Sequence, residues 1–250
     1  MMRVLLMEFQ KIKRKGVFTT IAILLGVQCM WGLWSFGSMS GEKLAQGWFQ
    51  CLYHFPILNA IMMPVVIAVL ASRLCDVEHK GQTFKLLETI IPAETLFHAK
   101  YLCGVIHVTA IALIQVFMIL TFGALKGFGG PIPWDKILFY LISTIGVHVT
   151  ILLLQQVLSL HFANQMVPLT VGLLGSLAGL FSMFLPKGVG KLLIWGYYGV
   201  MMRVGLNWDP STRISDFYYV PVDWLGVFLL AFMFAGIYVY GRRSFAGKEW

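Results

Sequence analysis

The chain has 250 residues, of which 58% are hydrophobic and only 12% are charged, and its mean hydropathy is +0.79. These values exclude an ordinary soluble domain and indicate an integral membrane protein. The net charge of +8 does not indicate nucleic-acid binding, because the basic residues flank apolar runs and follow the charge bias of membrane topology. The four cysteines show no paired spacing, so neither a disulfide framework nor a metal site is expected.

Residues 1–16 predict an amphipathic helix that lies in the membrane interface. Leu5, Phe9 and Ile12 recur at helical spacing on one face, and a basic cluster occupies residues 11–15. We expect the apolar face to point into the lipid and the cations to lie near anionic headgroups.

Six apolar runs are long enough to cross a bilayer, since about 20 helical residues cover its hydrocarbon core. They lie near residues 17–36, 55–72, 101–125, 137–160, 166–185 and 224–240. None contains Asp, Glu, Lys or Arg, which argues against a carrier driven by an ion gradient. The sequence therefore predicts an all-α integral membrane protein with six transmembrane helices, formed by one domain over residues 1–250.

The distribution of Lys and Arg predicts the topology. The segments before the first span, between spans two and three, and after the last span together hold 12 of these residues, against seven on the other side. Both termini and the loop over residues 73–100 are therefore expected on the cytoplasmic side.

The loop over residues 73–100 contains a predicted short helix, Gly81–Ile91. Thr83 is the expected N-cap, Phe84 and Leu87 share one face, and Pro92 ends the helix. Two interpretations fit this pattern. The segment is either a polar turn that rests on the membrane surface or a helix that inserts into a partner.

Polar residues within the predicted spans indicate contacts between helices. They lie on spans three and four: His107, Gln115, His148, Gln155 and Gln156. A proton relay is the alternative, but no carboxylate accompanies these residues, so interhelical hydrogen bonds are favoured. In span five, Gly175 and Gly179 form a G-x-x-x-G pattern, for which packing inside the bundle is favoured over packing against a partner.

The segment over residues 186–223 is predicted to lie at the outer face. Within it Leu192–Met202 is strongly apolar but too short to cross, which is typical of a re-entrant or interfacial segment. Aromatic residues and carboxylates are frequent here: Trp195, Tyr197, Tyr198, Trp208, Asp209, Asp216 and Asp223. The segment is either an interfacial anchor or a surface that meets an amphipathic substrate.

Catalytic motifs are not evident. Residues 188–191 superficially resemble a phosphate-binding loop, but Leu192 stands where Ser or Thr is required. We therefore expect no enzyme activity and no cofactor bound by this chain.

Taken together, these features resemble the permease subunit of a type-2 ABC exporter. Residues 78–87 (EHKGQTFKLL) fit the pattern E-x-x-x-x-T-[FW]-K-x-L after span two. More narrowly, residues 55–87 and 195–224 resemble permeases of the lantibiotic self-protection and resistance transporters. Gln82 stands where those relatives often carry Asn.

This resemblance implies a function and a set of partners. The chain is expected in the bacterial cytoplasmic membrane, paired with a second homologous permease or with a copy of itself, and with a separate ABC ATPase in two copies that binds ATP and Mg²⁺. The complex would remove lantibiotic-type peptides from the membrane. The alternatives are a stand-alone channel or carrier, and an ABC permease that exports another amphipathic lipid or drug.

The resemblance also assigns residues to two sites. Coupling to the ATPase would use exposed Phe84 and Leu87 with Glu78 and Lys85 as rim charges; the full set is Glu78, Gly81, Thr83, Phe84, Lys85 and Leu87. The peptide would meet the outer segment through Trp195, Tyr197, Tyr198, Trp208, Asp209, Asp216 and Asp223.

Overall fold

The computed structural model describes residues 1–13, 16–37, 39, 41–208 and 215–247. The helices are α1 (Met2–Lys13), α2 (Val17–Gly37), α3 (Gly41–Ala45), α4 (Gly47–Gly81), α5 (Phe84–Ile90), α6 (Ala93–Lys126), α7 (Trp134–His161), α8 (Met166–Ser182), α9 (Lys187–Gly190), α10 (Tyr197–Val200) and α11 (Trp224–Ala246). A 3₁₀ turn, Ile194–Gly196, precedes α10, and a hairpin of β1 (Val204–Trp208) and β2 (Ser215–Tyr219) precedes α11.

Five of the described helices, α2, α4, α6, α7 and α11, are long and apolar enough to cross a membrane. The segment predicted as span five is α8, an apolar helix of 17 residues. The all-α membrane architecture is thus confirmed, and the count of six spans stays a prediction.

Helix α4 is the central element, since it packs against α2, α6, α7 and α8. Pro64 interrupts its backbone hydrogen bonding, because proline lacks the N–H that would reach the carbonyl of Ala60. Ser176 of α8 donates its hydroxyl to the carbonyls of Ala60 and Ile61. A neighbouring helix therefore satisfies the backbone group that Pro64 leaves free.

The G-x-x-x-G pattern of α8 packs inside the chain, as predicted. A side chain at Gly175 would collide with the indole of Trp195, and one at Gly179 would come within 2.7 Å of the Trp195 carbonyl oxygen. The two glycines therefore let the 3₁₀ turn approach the α8 backbone closely.

The predicted loop over residues 73–100 is much shorter than expected. Helix α4 continues to Gly81 and α6 begins at Ala93, so only residues 82–92 connect them. The helices extend because Leu74, Cys75 and Phe97 are fully buried against the bundle, and that packing outweighs the polar composition of the segment.

The hairpin before α11 was not predicted. Val204 pairs with Tyr219 and Trp208 with Ser215, and β2 packs on the start of α4, where Phe49 stacks on Tyr219 at 4.3 Å between ring centroids. The sequence did carry a signal for it, because turn-forming residues follow Trp208 and an aromatic-rich run begins at Phe217.

Residues 187–202 form short helical pieces that pack against α7 and α8. Gly190 lies next to Gly196 and Val200, so the segment folds back on itself. Its depth in a membrane, and hence its re-entrant character, stays a prediction.

Candidate functional site

Helix α5 is joined to α4 by a tight left-handed turn. Gln82 has φ +50°, which makes it the one non-glycine residue with positive φ in the described ranges. Its N–H reaches the carbonyl of His79 at 3.3 Å, and the N–H of Thr83 reaches that of Glu78 at 3.0 Å. These two bonds satisfy the last carbonyls of α4 in the manner of a Schellman motif.

The limits of α5 agree with most of the sequence prediction. Thr83 is the N-cap residue, although its side chain makes no capping hydrogen bond. Ile91 is extended, with φ −129° and ψ 127°, because Pro92 excludes helical geometry from the residue before it. Gly81 belongs to α4 and is not the start of α5.

Phe84 anchors α5 to the bundle, so the expectation that it is exposed is wrong. Its side chain is 3% exposed and meets the rings of His79 and Phe245 edge-on at 4.9 and 6.1 Å. Leu87 is partly buried and packs against the same core. The periodicity identified the apolar face of α5 correctly, but that face covers the bundle.

The outward surface of α5 consists of other residues. Leu86 is 61% exposed and Ile90 is 73% exposed, and they lie one helical turn apart. Lys85 beside them is exposed as well. We call Lys85, Leu86 and Ile90 the α5 surface.

Four charged residues form a cluster next to this turn, which we call the ion quartet: Glu8, Glu78 and Lys100, which are buried, and Lys11, whose side chain is 20% exposed. Lys100 Nζ lies 2.8 Å from Glu78 Oε1 and 3.1 Å from Glu8 Oε2. Lys11 Nζ lies 2.5 Å from Glu78 Oε1 and 2.7 Å from Glu8 Oε1. Two carboxylates and two ammonium groups balance their charges, as burial requires.

The ion quartet corrects two expectations. Glu78 is 1% exposed and is therefore not a rim charge. Helix α1 does not turn its apolar face to lipid, because Ile12 is fully buried and Phe9 stacks on His107 of α6 at 5.3 Å. Through Glu8 and Lys11, α1 is joined to the ends of α4 and α6 that flank α5.

A second buried cluster, the amide quartet, consists of Gln28, Asn59, Gln115 and Tyr140. The Gln115 amide donates to Asn59 Oδ1 at 2.7 Å and to Gln28 Oε1 at 2.9 Å. Asn59 donates to the Tyr140 hydroxyl at 3.1 Å, and Gln28 donates to Asn59 at 3.2 Å. The cluster joins α2, α4, α6 and α7, and it confirms the interhelical role predicted for Gln115.

The sequence interpretation missed Gln28, Asn59 and Tyr140. A signal existed for the two amides, because predicted spans one, two and three each carry one amide side chain. The other polar residues predicted to bond between helices differ in their partners. Gln156 donates to the Phe97 carbonyl at 3.0 Å, which confirms an α7–α6 bond, whereas His107 contacts the Cys103 carbonyl of its own helix at 2.7 Å.

His148 and Gln155 also face neighbouring helices. The ring of His148 lies 3.5 Å from the Val108 carbonyl of α6. The Gln155 amide lies opposite the Pro168 carbonyl and the Gly172 N–H of α8.

The aromatic residues near α10 that were predicted to meet the peptide pack mostly inside the protein. Tyr197 is fully buried and donates its hydroxyl to the Lys191 carbonyl at 3.0 Å, and Tyr198 is 3% exposed. The expectation that these tyrosines face the outside is wrong, because the segment folds inward against α7 and α8. Trp195 is half-buried against the α8 glycines.

The remaining candidates lie around the hairpin. Trp208 is 54% exposed and Asp216 is exposed, whereas Asp209 lies outside the described residues. Asp223 caps α11 by accepting the Gly226 N–H at 2.9 Å, and it pairs with Lys191 at 2.6 Å. Asp223 is therefore committed to contacts within the chain.

Within the described ranges, no group of three or more His, Cys, Asp or Glu residues could hold a metal ion. The four cysteines are free thiols.

Comparison with known proteins identifies a family. A family model described as "ABC-2 family transporter protein" matches residues 4–179, which is more than half of the chain. No curated protein and no solved structure matched. Such family members are membrane subunits that are generally not catalytic themselves, and membership implies an ABC ATPase partner and dimerisation. The chain therefore belongs to the ABC-2 transporter family and is a multi-pass membrane component of such a transporter.

Proposed function

We propose that this chain is the permease subunit of an ABC exporter that removes lantibiotic-type peptides from the bacterial cytoplasmic membrane and so protects the cell. The observation that carries the proposal is the geometry of α5. It is a short helix that is anchored on one side and exposes apolar residues on the other, at one end of a bundle whose family implies an ATPase partner.

The α5 surface would insert into a groove on the ATPase. Exposed Leu86 and Ile90 outside the predicted spans are costly unless a partner covers them. Helix-in-groove binding uses apolar residues at this spacing, and Lys85 would contribute orientation at the rim. This arrangement reassigns the contact from Phe84 and Leu87 to Leu86 and Ile90.

ATPase movement would reach the bundle through two attachments of α5. Phe84 ties α5 to α4 and to Phe245 of α11, and the left-handed turn at Gln82 leads directly to Glu78 of the ion quartet. A push on α5 would therefore move the ends of α4, α6 and α1 together, since discrete packed interfaces transmit rigid-body motion.

The peptide would bind at the end of the bundle opposite to α5. Trp208, Tyr218 and Trp224 are 54%, 53% and 65% exposed, and Asp216 beside them is exposed. Aromatic residues with a carboxylate suit a cationic amphipathic peptide at a membrane surface. The hairpin lies beyond residue 179, where the family match ends, so the substrate class is supported by this exposed surface and by the resemblance of residues 55–87 and 195–224.

The test is a double substitution, Leu86→Ala with Ile90→Ala, in cells that also express the ABC ATPase partner. Truncation of two central apolar contacts should weaken ATPase recovery by about tenfold or more. Peptide protection, measured as the inhibitory concentration of a lantibiotic panel, should fall in parallel.

The matched control is Leu113→Ala with Phe117→Ala. These residues are also apolar, exposed and one turn apart, but they lie within a predicted span of α6. The control should retain ATPase binding and protection. Unchanged ATPase recovery in the α5 variant would refute the coupling role, whereas intact coupling without protection against any peptide would refute only the substrate class.

A further inference from the structure

A groove between α4 and α8 opens at the end of the bundle that carries α5. It has a volume of about 440 Å³, enough for a lipid headgroup with the start of its chains. We call it the α4–α8 groove and define it by Val69, Ser72, Arg73, Lys80, Asn164 and Leu169.

The two cations of this groove differ in their ion pairing. Lys80 Nζ lies 2.9 Å from Asp76 Oδ2, and Asp76 is 6% exposed. Arg73 is exposed and takes part in none of the ion pairs found among the described residues. The Arg73 guanidinium therefore stands outside these ion pairs, and Ser72, Asp76 and Asn164 also line the groove. Lys80 offsets the charge of Asp76, so the positive charge of Arg73 remains in excess, and a guanidinium suits a phosphate group.

The polarity of the groove changes along its length. Arg73 follows directly after predicted span two, which ends at residue 72, and Lys80 lies eight residues past that end, whereas Val69 lies within the span. On the facing helix, Leu169 lies within predicted span five. The polar half thus coincides with the expected headgroup level and the apolar half with the hydrocarbon level.

We propose that the α4–α8 groove is a binding site for an anionic phospholipid, with the phosphate on Arg73 and the acyl chains along Val69 and Leu169. Free phosphate would use only the polar half, whereas a lipid explains both halves. Basic pockets between transmembrane helices on the cytoplasmic side recognise anionic headgroups by this chemistry.

The test uses the full-length chain, purified in mild detergent and stripped of lipid. Dioleoyl phosphatidylglycerol, dioleoyl phosphatidylcholine and inorganic phosphate are titrated separately, and the unfolding temperature and the bound lipid by native mass spectrometry are recorded. Phosphatidylglycerol should bind and raise the unfolding temperature. In Arg73→Gln, the half-saturating concentration should rise by about tenfold or more, because a charge-assisted hydrogen bond is lost.

Two further variants keep the test decisive. Arg243→Gln removes an exposed arginine at the same end of the bundle but outside the groove, and its lipid response should equal that of the unchanged chain. Lys80→Arg, at a side chain that is 73% exposed, keeps the cation that pairs with Asp76, so it should fold normally and bind lipid as the unchanged chain does.

Three results would overturn the proposal. The first is an Arg73→Gln variant that responds to phosphatidylglycerol as the unchanged chain does. The second is an equal response to phosphatidylcholine or to inorganic phosphate. The third is loss of a dimer in Arg73→Gln with lipid binding unchanged, which would assign the groove to a second copy of the chain.

Discussion

The amide quartet is buried and so is the ion quartet except for the partly exposed Lys11; each joins helices that are distant in sequence, but they differ in charge and in position. Glu78 and Asn59 are 19 positions apart on the same helix, which is roughly 28 Å along its axis. Every member of the ion quartet lies outside the predicted membrane spans, and every member of the amide quartet lies inside one.

The difference follows from the cost of burying charge. At membrane depth an ionised side chain is expensive, whereas an amide needs only hydrogen-bond partners, which the neighbouring helices supply. Near the bundle end the protein does bury charges, but as a balanced set that fixes α1 beside the α5 connection. The amide quartet thus specifies how the spans pack, and the ion quartet holds together the end that would meet the ATPase.

The largest expected effect is that of Lys100→Met. The change leaves Glu8 and Glu78 buried with only Lys11 between them, which should destabilise the chain by about 3–5 kcal/mol. The measurement is the unfolding free energy or unfolding temperature in detergent.

The control for this prediction removes one charge of each sign. In Lys100→Met with Glu78→Met, the Glu8–Lys11 pair remains, 2.7 Å apart, so the buried charge is again balanced. The double variant should recover most of the lost stability, because apolar replacement of a buried pair is often neutral. If the unchanged chain and both variants were equally stable, the charge balance of the ion quartet would not contribute to stability.

A smaller loss is expected from Asn59→Leu. Gln28, Gln115 and Tyr140 each lose a partner, but the bond between Gln115 and Gln28 remains, so the cost should be about 1–2 kcal/mol. Asn59→Asp should cost more, because no cation lies in the amide quartet. Thermal unfolding of both variants, with the exposed Asn207→Leu as control, distinguishes them. Asn59→Asp as stable as Asn59→Leu would contradict the comparison.

The sequence predicted the positions of the helices better than the directions in which their side chains point. Apolar run length located the five long apolar helices and α8, and Pro92 located the end of α5, because both depend on local chemistry. Whether Phe84 points to a partner or to the bundle depends on His79 and Phe245, and Phe245 is 161 positions away. Likewise Glu78 was expected at a rim, because nothing in the local pattern shows that Lys100 and Glu8 balance its charge.

The smallest expected effect concerns Gln82, the residue that links the ion quartet to α5. Its left-handed backbone, φ +50°, costs a residue that has a Cβ atom roughly 1–2 kcal/mol, whereas glycine adopts it freely and asparagine more readily than most. Glycine also raises the conformational entropy of the unfolded chain, which offsets part of the relief of strain. Gln82→Gly should therefore stabilise the protein by only about 0.5 kcal/mol. Gln82→Asn should be neutral or slightly stabilising, and Gln82→Val should destabilise, because a β-branched side chain is least compatible with this conformation.

Unfolding temperatures should therefore fall in the order Gly, Asn, Gln, Val. If Val equalled Gln, the turn could relax without strain, and the link between the ion quartet and α5 would be too soft to transmit the movement proposed for it.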